Sequence, residues 1–142
     1  MCLIISKFSH FFHTGPKIAK RDIKVYKGLI PFCYVKNSVS VNNFLTPFQK
    51  KLVVSQHNQI IMESELDSPR YGSWNGKAVE MINKGIHAYR RKNDTLLNAY
   101  NAYNAYNIHL FKAIIPKGSS YYIGMKGEIV SNKLIVYTDK TV

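Results

Sequence analysis

The sequence predicts an α+β fold in which one or two helices pack on a mainly antiparallel sheet of short strands. Three observations lead to this prediction. Residues 22–26 alternate β-branched and charged side chains, and residues 110–115 form an apolar run before a proline, as strands do. Residues 95–107 follow a polar N-cap, Asn93 or Asp94, and contain the repeat Asn-Ala-Tyr three times, and we interpret them as a Tyr-rich helix. Gly and Pro divide much of the remaining chain into short segments, as expected for a fold with few βαβ units.

The length and composition describe one folded domain. The chain has 142 residues, of which 46% are hydrophobic and 20% charged, close to the averages for globular proteins. We therefore expect a single domain over residues 1–142. Residues 1–16 are predicted to form an N-terminal flap, and residues 84–137 the best-defined strand-helix-strand-hairpin core.

The charge balance favours an anionic partner. Twenty Lys and Arg residues oppose eight Asp and Glu residues, which gives a formal net charge of +12. Such a field attracts polyanions, although dispersed lysines also form an ordinary solvated surface. The bases cluster at residues 17–27 and at Arg90, Arg91 and Lys92, and we predict that the second cluster binds the anion.

The N-terminal region and the cysteines predict a cytoplasmic protein that does not associate with membranes. Lys7, His10 and His13 interrupt the apolar residues at the N-terminus. Cys2 and Cys33 match neither a disulfide framework nor a zinc spacing. His10 and His13 lack further ligands of a suitable spacing, so no metal and no cofactor are expected.

The segments between these landmarks are assigned in chain order. Short strands are predicted at residues 32–44 (as two strands around a turn), 51–54, 59–63, 86–89, 120–123, 128–130 and 134–137. Residues 67–76 are predicted to be the longest loop, in which Tyr71 and Trp74 either pack onto the core or line a site. Residues 77–83 are predicted to form a short helix that ends at Gly85. Residues 110–115 are predicted to be a buried interior strand, with Phe111, Ala113 and Ile115 on one face and Leu110, Lys112 and Ile114 on the other.

Three side chains are candidates for chemistry. His87 and Tyr89 alternate with Ile86 and Ala88, so they should lie on one side of their strand. His87 is the best candidate for a general acid or base, because only histidine titrates near neutrality without help. Glu128 begins a strand after a glycine and serves either as a catalytic carboxylate or as the partner of a nearby lysine.

Several motifs resemble those of a group of small uncharacterised proteins encoded by phages and gut bacteria. The shared motifs are KGIHAY at residues 84–89, AIIPKGSSYYIG at residues 113–124 and GEIVSNKLIVY at residues 127–137. MCLII at the start of the chain and KIAKRDIKVYK at residues 17–27 are also similar. The resemblance implies no particular activity.

A second resemblance is to the ADP-ribosyltransferase fold, in the branch of the poly-ADP-ribose polymerases. Its strand-helix-strand order is matched by residues 85–88, 99–100, 111–114 and 134–137. This resemblance implies a transferase or a degenerate relative. Lys133 occupies the position of the catalytic glutamate, and a cation there would not stabilise a cationic sugar transition state.

The leading functional prediction is a basic, phage-type accessory domain without catalytic activity. It would bind an anionic partner, either nucleic acid, a nucleotide-like ligand or an acidic protein. The first alternative is an enzyme of ADP-ribosyltransferase-like fold, which requires residues 24–29 to lie beside residues 85–89 and requires His87, Tyr89 and Glu128 to converge. The second alternative is a structural component of a virion.

Overall fold

The fold is built from β-strands. The computed structural model describes residues 3–6, 16–32, 35–36, 39–40, 43–46, 52–68, 70–74, 77–82, 84–92, 108–124 and 127–141. These residues form fifteen strands. The strands are β1 (Leu3–Ser6), β2 (Lys17–Ile18), β3 (Ile23–Phe32), β4 (Val35–Lys36), β5 (Val39–Ser40), β6 (Asn43–Leu45), β7 (Leu52–Val54), β8 (Gln59–Glu63), β9 (Arg70–Trp74), β10 (Lys77–Ile82), β11 (Ile86–Tyr89), β12 (His109–Ile115), β13 (Ser120–Ile123), β14 (Glu128–Ser131) and β15 (Lys133–Thr141).

The α+β prediction is therefore wrong, because the described part of the chain contains no helix packed on the sheet. The predicted short helix at residues 77–83 is instead β10, which pairs with β1 on one side and β9 on the other. Two helical turns have little stability of their own, so two ladders of backbone hydrogen bonds outweigh the local helical pattern. The helix predicted at residues 95–107 lies outside the described residues.

The prediction of a long loop at residues 67–76 is also wrong. Residues 70–74 are β9, and they pair with β10 from Arg70–Met81 to Trp74–Lys77. Asn75-Gly76 stands between the last paired residues, and Asn-Gly is a strong sequence signal for a two-residue hairpin connection. The glycine and serine content of the segment concealed this signal.

Ten strands form one antiparallel sheet. Its main path runs in the order β2-β13-β14-β11-β3-β12-β15-β8, and β6 pairs with β3 and β7. Residues 30–32 at the end of β3 bind β6, while Ile23 to Leu29 bind β12. The predicted strands at residues 22–29, 51–54, 59–63, 86–89, 110–115, 120–123, 128–130 and 134–137 are confirmed within a residue or a few. The two short strands predicted in residues 32–44 correspond to β4 and β5, which pair with each other.

The two halves of the sheet on either side of β3, β2-β13-β14-β11 and β12-β15-β8, contribute side chains to one shared core. Residues 116–119 connect β12 to β13, and Asn132 alone connects β14 to β15, although the strands of each pair are not neighbours in the sheet. Asn132 forms a corner between the halves: its N–H donates to Ser120 O (3.1 Å), its Oδ1 accepts from Ser120 N (3.0 Å), and its carbonyl accepts from Ser64 N (3.0 Å). These bonds satisfy the backbone groups that a bend would otherwise leave unpaired.

The hydrophobic core fills the space between the two halves. Its members come from both halves and from β6, and they include Val25, Leu29, Phe44, Ile86, Ala88, Phe111, Ala113, Ile115, Ile129, Leu134 and Val136. The rings of Phe44 and Phe111 meet edge to face, with centroids 5.4 Å apart. Phe111, Ala113 and Ile115 are all buried, which confirms that they share one face of β12, and this face points into the core.

A second, smaller sheet in the order β1-β10-β9 lies near the outer face of one half. Ile82 of β10 packs there with Val130 of β14 and Tyr122 of β13, and all three are buried. Leu66 packs against the same cluster. The half of the main sheet that contains β11, β13 and β14 is therefore covered on both faces near these residues, and β11 and β14 are buried at every position.

Candidate anion-binding groove

A basic groove lies beside the segment that connects β2 to β3. It has a volume of about 860 Å³, within the usual range of ligand sites. Its lining consists of Lys17, Ile18, Lys20, Arg21, Asp22, Ile23, Lys24 and Tyr121. Four of these eight side chains are cationic and one is acidic, so the groove concentrates positive charge far more than the sequence does on average.

The backbone of this segment is held in place by the turn at residues 116–119. Ala19 donates from its N–H to Ser119 O (2.9 Å) and accepts at its carbonyl from Gly118 N (2.8 Å). Asp22 Oδ1 accepts from Lys117 N at 2.8 Å. Lys20 and Arg21 therefore lie between two anchored residues, and their exposed side chains extend from a fixed stretch of backbone.

The groove combines a charged rim with apolar side chains that reach the core. Ile23 and Tyr121 are partly buried and pack against the core cluster, whereas Lys17, Lys20, Arg21 and Lys24 are exposed. Tyr121 pairs with Lys17 across β13 and β2, so the two side chains lie on the same face of the sheet. A ligand in the groove can therefore contact cations and an aromatic ring together.

The predicted anion-binding residues Arg90, Arg91 and Lys92 are exposed and directly follow β11. β11 runs antiparallel to β3, and the two strands pair at Tyr89 and Tyr26. Residues 90–92 therefore leave β11 at the same end of the strand pair at which β3 begins. Residues 90–92 thus leave β11 near Ile23 and Lys24, and they do not line the groove. Lys17 lies at the other end of β11, because it pairs with Tyr121 in register with Ile86.

The candidate catalytic side chains share one face of the sheet. Tyr89 pairs directly with Glu128, and His87 pairs with Val130 two residues away, so the three side chains project from adjacent strands toward the smaller sheet. They are buried, with exposures of 9% for His87, 3% for Tyr89 and 8% for Glu128. None of them lines the basic groove, and their catalytic role remains a prediction.

The transferase alternative also depends on the neighbour of β11 and on the residue at the position of the family's catalytic glutamate. β3, which contains residues 24–29, does lie beside β11. Lys133, at the position of the family's catalytic glutamate, pairs across β15 and β8 with Glu63, with Nζ and Oε1 3.5 Å apart. Both side chains are largely exposed, so this is a surface ion pair.

Lys27 is a chemically unusual residue that the sequence analysis did not single out. It lies on the inward face of β3 between Val25 and Leu29, opposite Phe111, and only 6% of it is exposed. Its Nζ donates to the backbone carbonyl of His87 at 2.5 Å. Burial lowers the pKa of Lys27 from 10.5 to about 8. The alternation of residues 22–26, extended by one residue, would have placed this lysine on the buried face.

The remaining predicted residues lie elsewhere. Tyr71 and Trp74 are in β9 and not in a loop, and their role as site residues stays a prediction. His10, His13, Cys2 and Cys33 lie outside the described residues. Among the residues that the structure describes, no three His, Cys, Asp or Glu side chains are grouped so that they could hold a metal ion.

Comparisons of this chain with protein-family models, curated proteins and solved structures found no match. The function must therefore be argued from the groove itself. In the described part of the chain, no helix has the length and apolarity needed to span a membrane.

Proposed function

We propose that this protein binds a polyanion, with nucleic acid as the leading candidate, through the groove beside residues 17–24. The observation that supports the proposal is the convergence of Lys17, Lys20, Arg21 and Lys24 on one groove. The single acid among them, Asp22, accepts a hydrogen bond from Lys117 N, which offsets part of its repulsion toward an anion. We further propose a cytoplasmic site of action, where nucleic acid is accessible.

Binding through these four cations should depend strongly on salt. Each cation that neutralises a phosphate releases condensed counterions, so four contacts predict a slope of roughly −3 in a plot of log K against log salt for a single-stranded polyanion. The experiment is a fluorescence anisotropy titration of a labelled oligonucleotide, with inorganic polyphosphate as competitor, at several KCl concentrations.

The double variant Lys20→Gln/Arg21→Gln tests the location of the site. It removes two of the four groove cations, so the slope should fall by about 1.4 and the affinity at low salt should fall with it. The matched control is Lys84→Gln/Lys140→Gln, which removes the same number of charges from exposed residues outside the groove. Equal losses in the two variants would show that net charge alone attracts the polyanion, and the proposed site would be wrong.

The second basic cluster provides a separate test. Because residues 90–92 leave β11 near Ile23 and Lys24, which line the groove, a long polyanion that extends past Lys24 should also contact them. Replacing Arg90, Arg91 and Lys92 with Gln should weaken a long oligonucleotide more than a short one. The shortest oligonucleotide that the wild-type protein binds more tightly than the variant would show how far the ligand must extend to reach residues 90–92. An equal loss of affinity at every length would contradict the extended contact.

A further inference from the structure

The aromatic ring in the groove narrows the class of polyanion. Tyr121 lines the same groove as the four cations, and its ring is partly buried against the core. A partly buried ring has a fixed orientation and loses little conformational freedom when a planar group stacks on it. Beside it, Ile18 is 55% exposed, and it lines the groove too. Inorganic polyphosphate has no apolar or planar group that could contact the Tyr121 ring or Ile18.

A tyrosine ring inside a basic groove favours a single-stranded ligand over a duplex. In a duplex the bases are stacked and paired inside, and the phosphates are presented outward. A single strand can turn a base into the groove while its phosphates follow the rim, which is how single-strand binding sites combine a basic groove with aromatic side chains. Here the rim and the ring belong to one groove, since Tyr121 pairs directly with Lys17.

The rim is also long enough for more than one phosphate. The groove is lined by the segment that runs from Lys17 in β2 to Lys24 in β3, and Lys20 and Arg21 lie between these two cations. The four cations are therefore spread along residues 17–24, so that successive phosphates can contact them.

We propose that the ligand is a single-stranded nucleic acid, one base of which stacks on Tyr121 while successive phosphates contact the four groove cations. This inference rests on the proposed polyanion binding and adds to it the recognition of a base. A mononucleotide has the same chemistry but can reach only part of the rim, so it should bind much more weakly than an oligonucleotide.

The test compares Tyr121→Leu, Tyr121→Phe and the wild-type protein. Leucine keeps an apolar side chain against the core but removes the stacking ring, whereas phenylalanine keeps the ring. For a labelled single-stranded oligonucleotide we expect a loss of about five- to hundredfold with Tyr121→Leu and near wild-type affinity with Tyr121→Phe. Inorganic polyphosphate should bind all three proteins equally. Unfolding in urea verifies that both variants are folded.

The possible failures are distinguishable. If the Tyr121→Leu variant binds both the oligonucleotide and polyphosphate more weakly, the ring only supports the shape of the groove. The stacking proposal would then be overturned. Equal binding of the oligonucleotide by all three proteins would overturn it as well. A duplex that binds more tightly than its single strand would overturn it in favour of phosphate recognition alone. In each case polyanion binding would stand if Lys20→Gln/Arg21→Gln still reduces affinity.

Discussion

Lys27 occupies a position in the core that an apolar residue would ordinarily fill. Its neighbours on the inward face are Val25, Leu29 and Phe111, and its Nζ bonds the His87 carbonyl of the adjacent strand. A buried ammonium loses most of its hydration, and one hydrogen bond to a carbonyl replaces only part of it. The lowered pKa of Lys27 expresses this cost, which the fold must offset through the surrounding core.

The stability of the protein should therefore rise with pH in a window set by Lys27. The pKa of this lysine is 10.5 when unfolded and about 8 when folded, so between these values the unfolded chain binds more protons. Raising the pH from 8 to 10.5 should remove a cost of about 3 kcal/mol. Lys27→Met should lack this rise, although it leaves the His87 carbonyl without its donor at a cost of about 1–3 kcal/mol.

The measurement is the free energy of unfolding in urea for both proteins across this pH range. Because other groups titrate equally in the two proteins, the difference between them isolates Lys27. The stability of the wild-type protein relative to Lys27→Met should increase by about 3 kcal/mol as the pH rises from 8 to 10.5. A difference that does not change with pH would show that Lys27 reaches solvent in the folded protein.

At the scale of elements, the sequence predicts strands well where one pattern determines them. Residues 22–29 and 110–115 were predicted because β-branched and apolar side chains recur there, and both became central strands. β9 and β10 were missed because their pairing depends on each other and on β1, which lies far away in sequence. Local propensity favoured a loop and a helix, and the ladders of a second sheet outweighed it.

Gly85 and Gly118 allow two costs of a Gly→Ala substitution to be measured separately. One is the strain of an alanine at positive φ, and the other is the clash of the added Cβ with its neighbours. Gly85 and Gly118 both have positive φ, +146° and +88°. A Cβ at Gly85 would lie 2.5 Å from Val130 Cγ2 and 2.9 Å from Leu66 Cδ1, whereas a Cβ at Gly118 meets nothing within 4 Å. Gly118→Ala should cost about 1 kcal/mol of stability, and Gly85→Ala about 1–3 kcal/mol more.

Equilibrium unfolding in urea measures both variants, and Gly85→Ala/Leu66→Ala provides the internal control. Leu66→Ala removes one of the two side chains that the new Cβ would contact. The double variant should therefore lose less stability than the sum of the losses in the two single variants. Equal destabilisation by Gly85→Ala and Gly118→Ala would mean that Val130 and Leu66 move aside freely.

Two neighbouring isoleucines test the two faces of β12. Ile115 is completely buried in the core, whereas Ile114 faces outward and is only half-buried. Ile115→Ala should cost about 2–5 kcal/mol, because it leaves a cavity that the core cannot easily fill. Ile114→Ala removes the same atoms from a partly solvated site and should cost clearly less. Thermal and urea unfolding of the pair measure this difference, and a larger cost at Ile114 would contradict the assigned inward face.

At the scale of the whole molecule, topology decides which charges act together. The sequence shows a net charge of +12 and two basic clusters, but it does not show that residues 90–92 leave β11 near Lys24 of the other cluster. The sequence also does not indicate that Tyr121 lines the same groove as Lys17 and Lys24. Tyr121 lies about 100 residues after them, and only the pairing of β2 with β13 brings it to the groove. The basic cluster at residues 17–27 was visible in the sequence, but anion binding was predicted at Arg90, Arg91 and Lys92, which do not line the groove. Nothing in the sequence indicated that Tyr121 would line it.

The central claim is that a polyanion binds in the groove beside β2 and β3. Its most direct test is a map of amide chemical shifts in the wild-type protein during titration with a single-stranded oligonucleotide. We expect the largest shifts in residues 17–24 and 117–121, with smaller shifts in residues 90–92. Shifts that cluster instead around the exposed apolar residues Leu52, Val54 and Ile61, or the absence of shifts at low salt, would contradict the account.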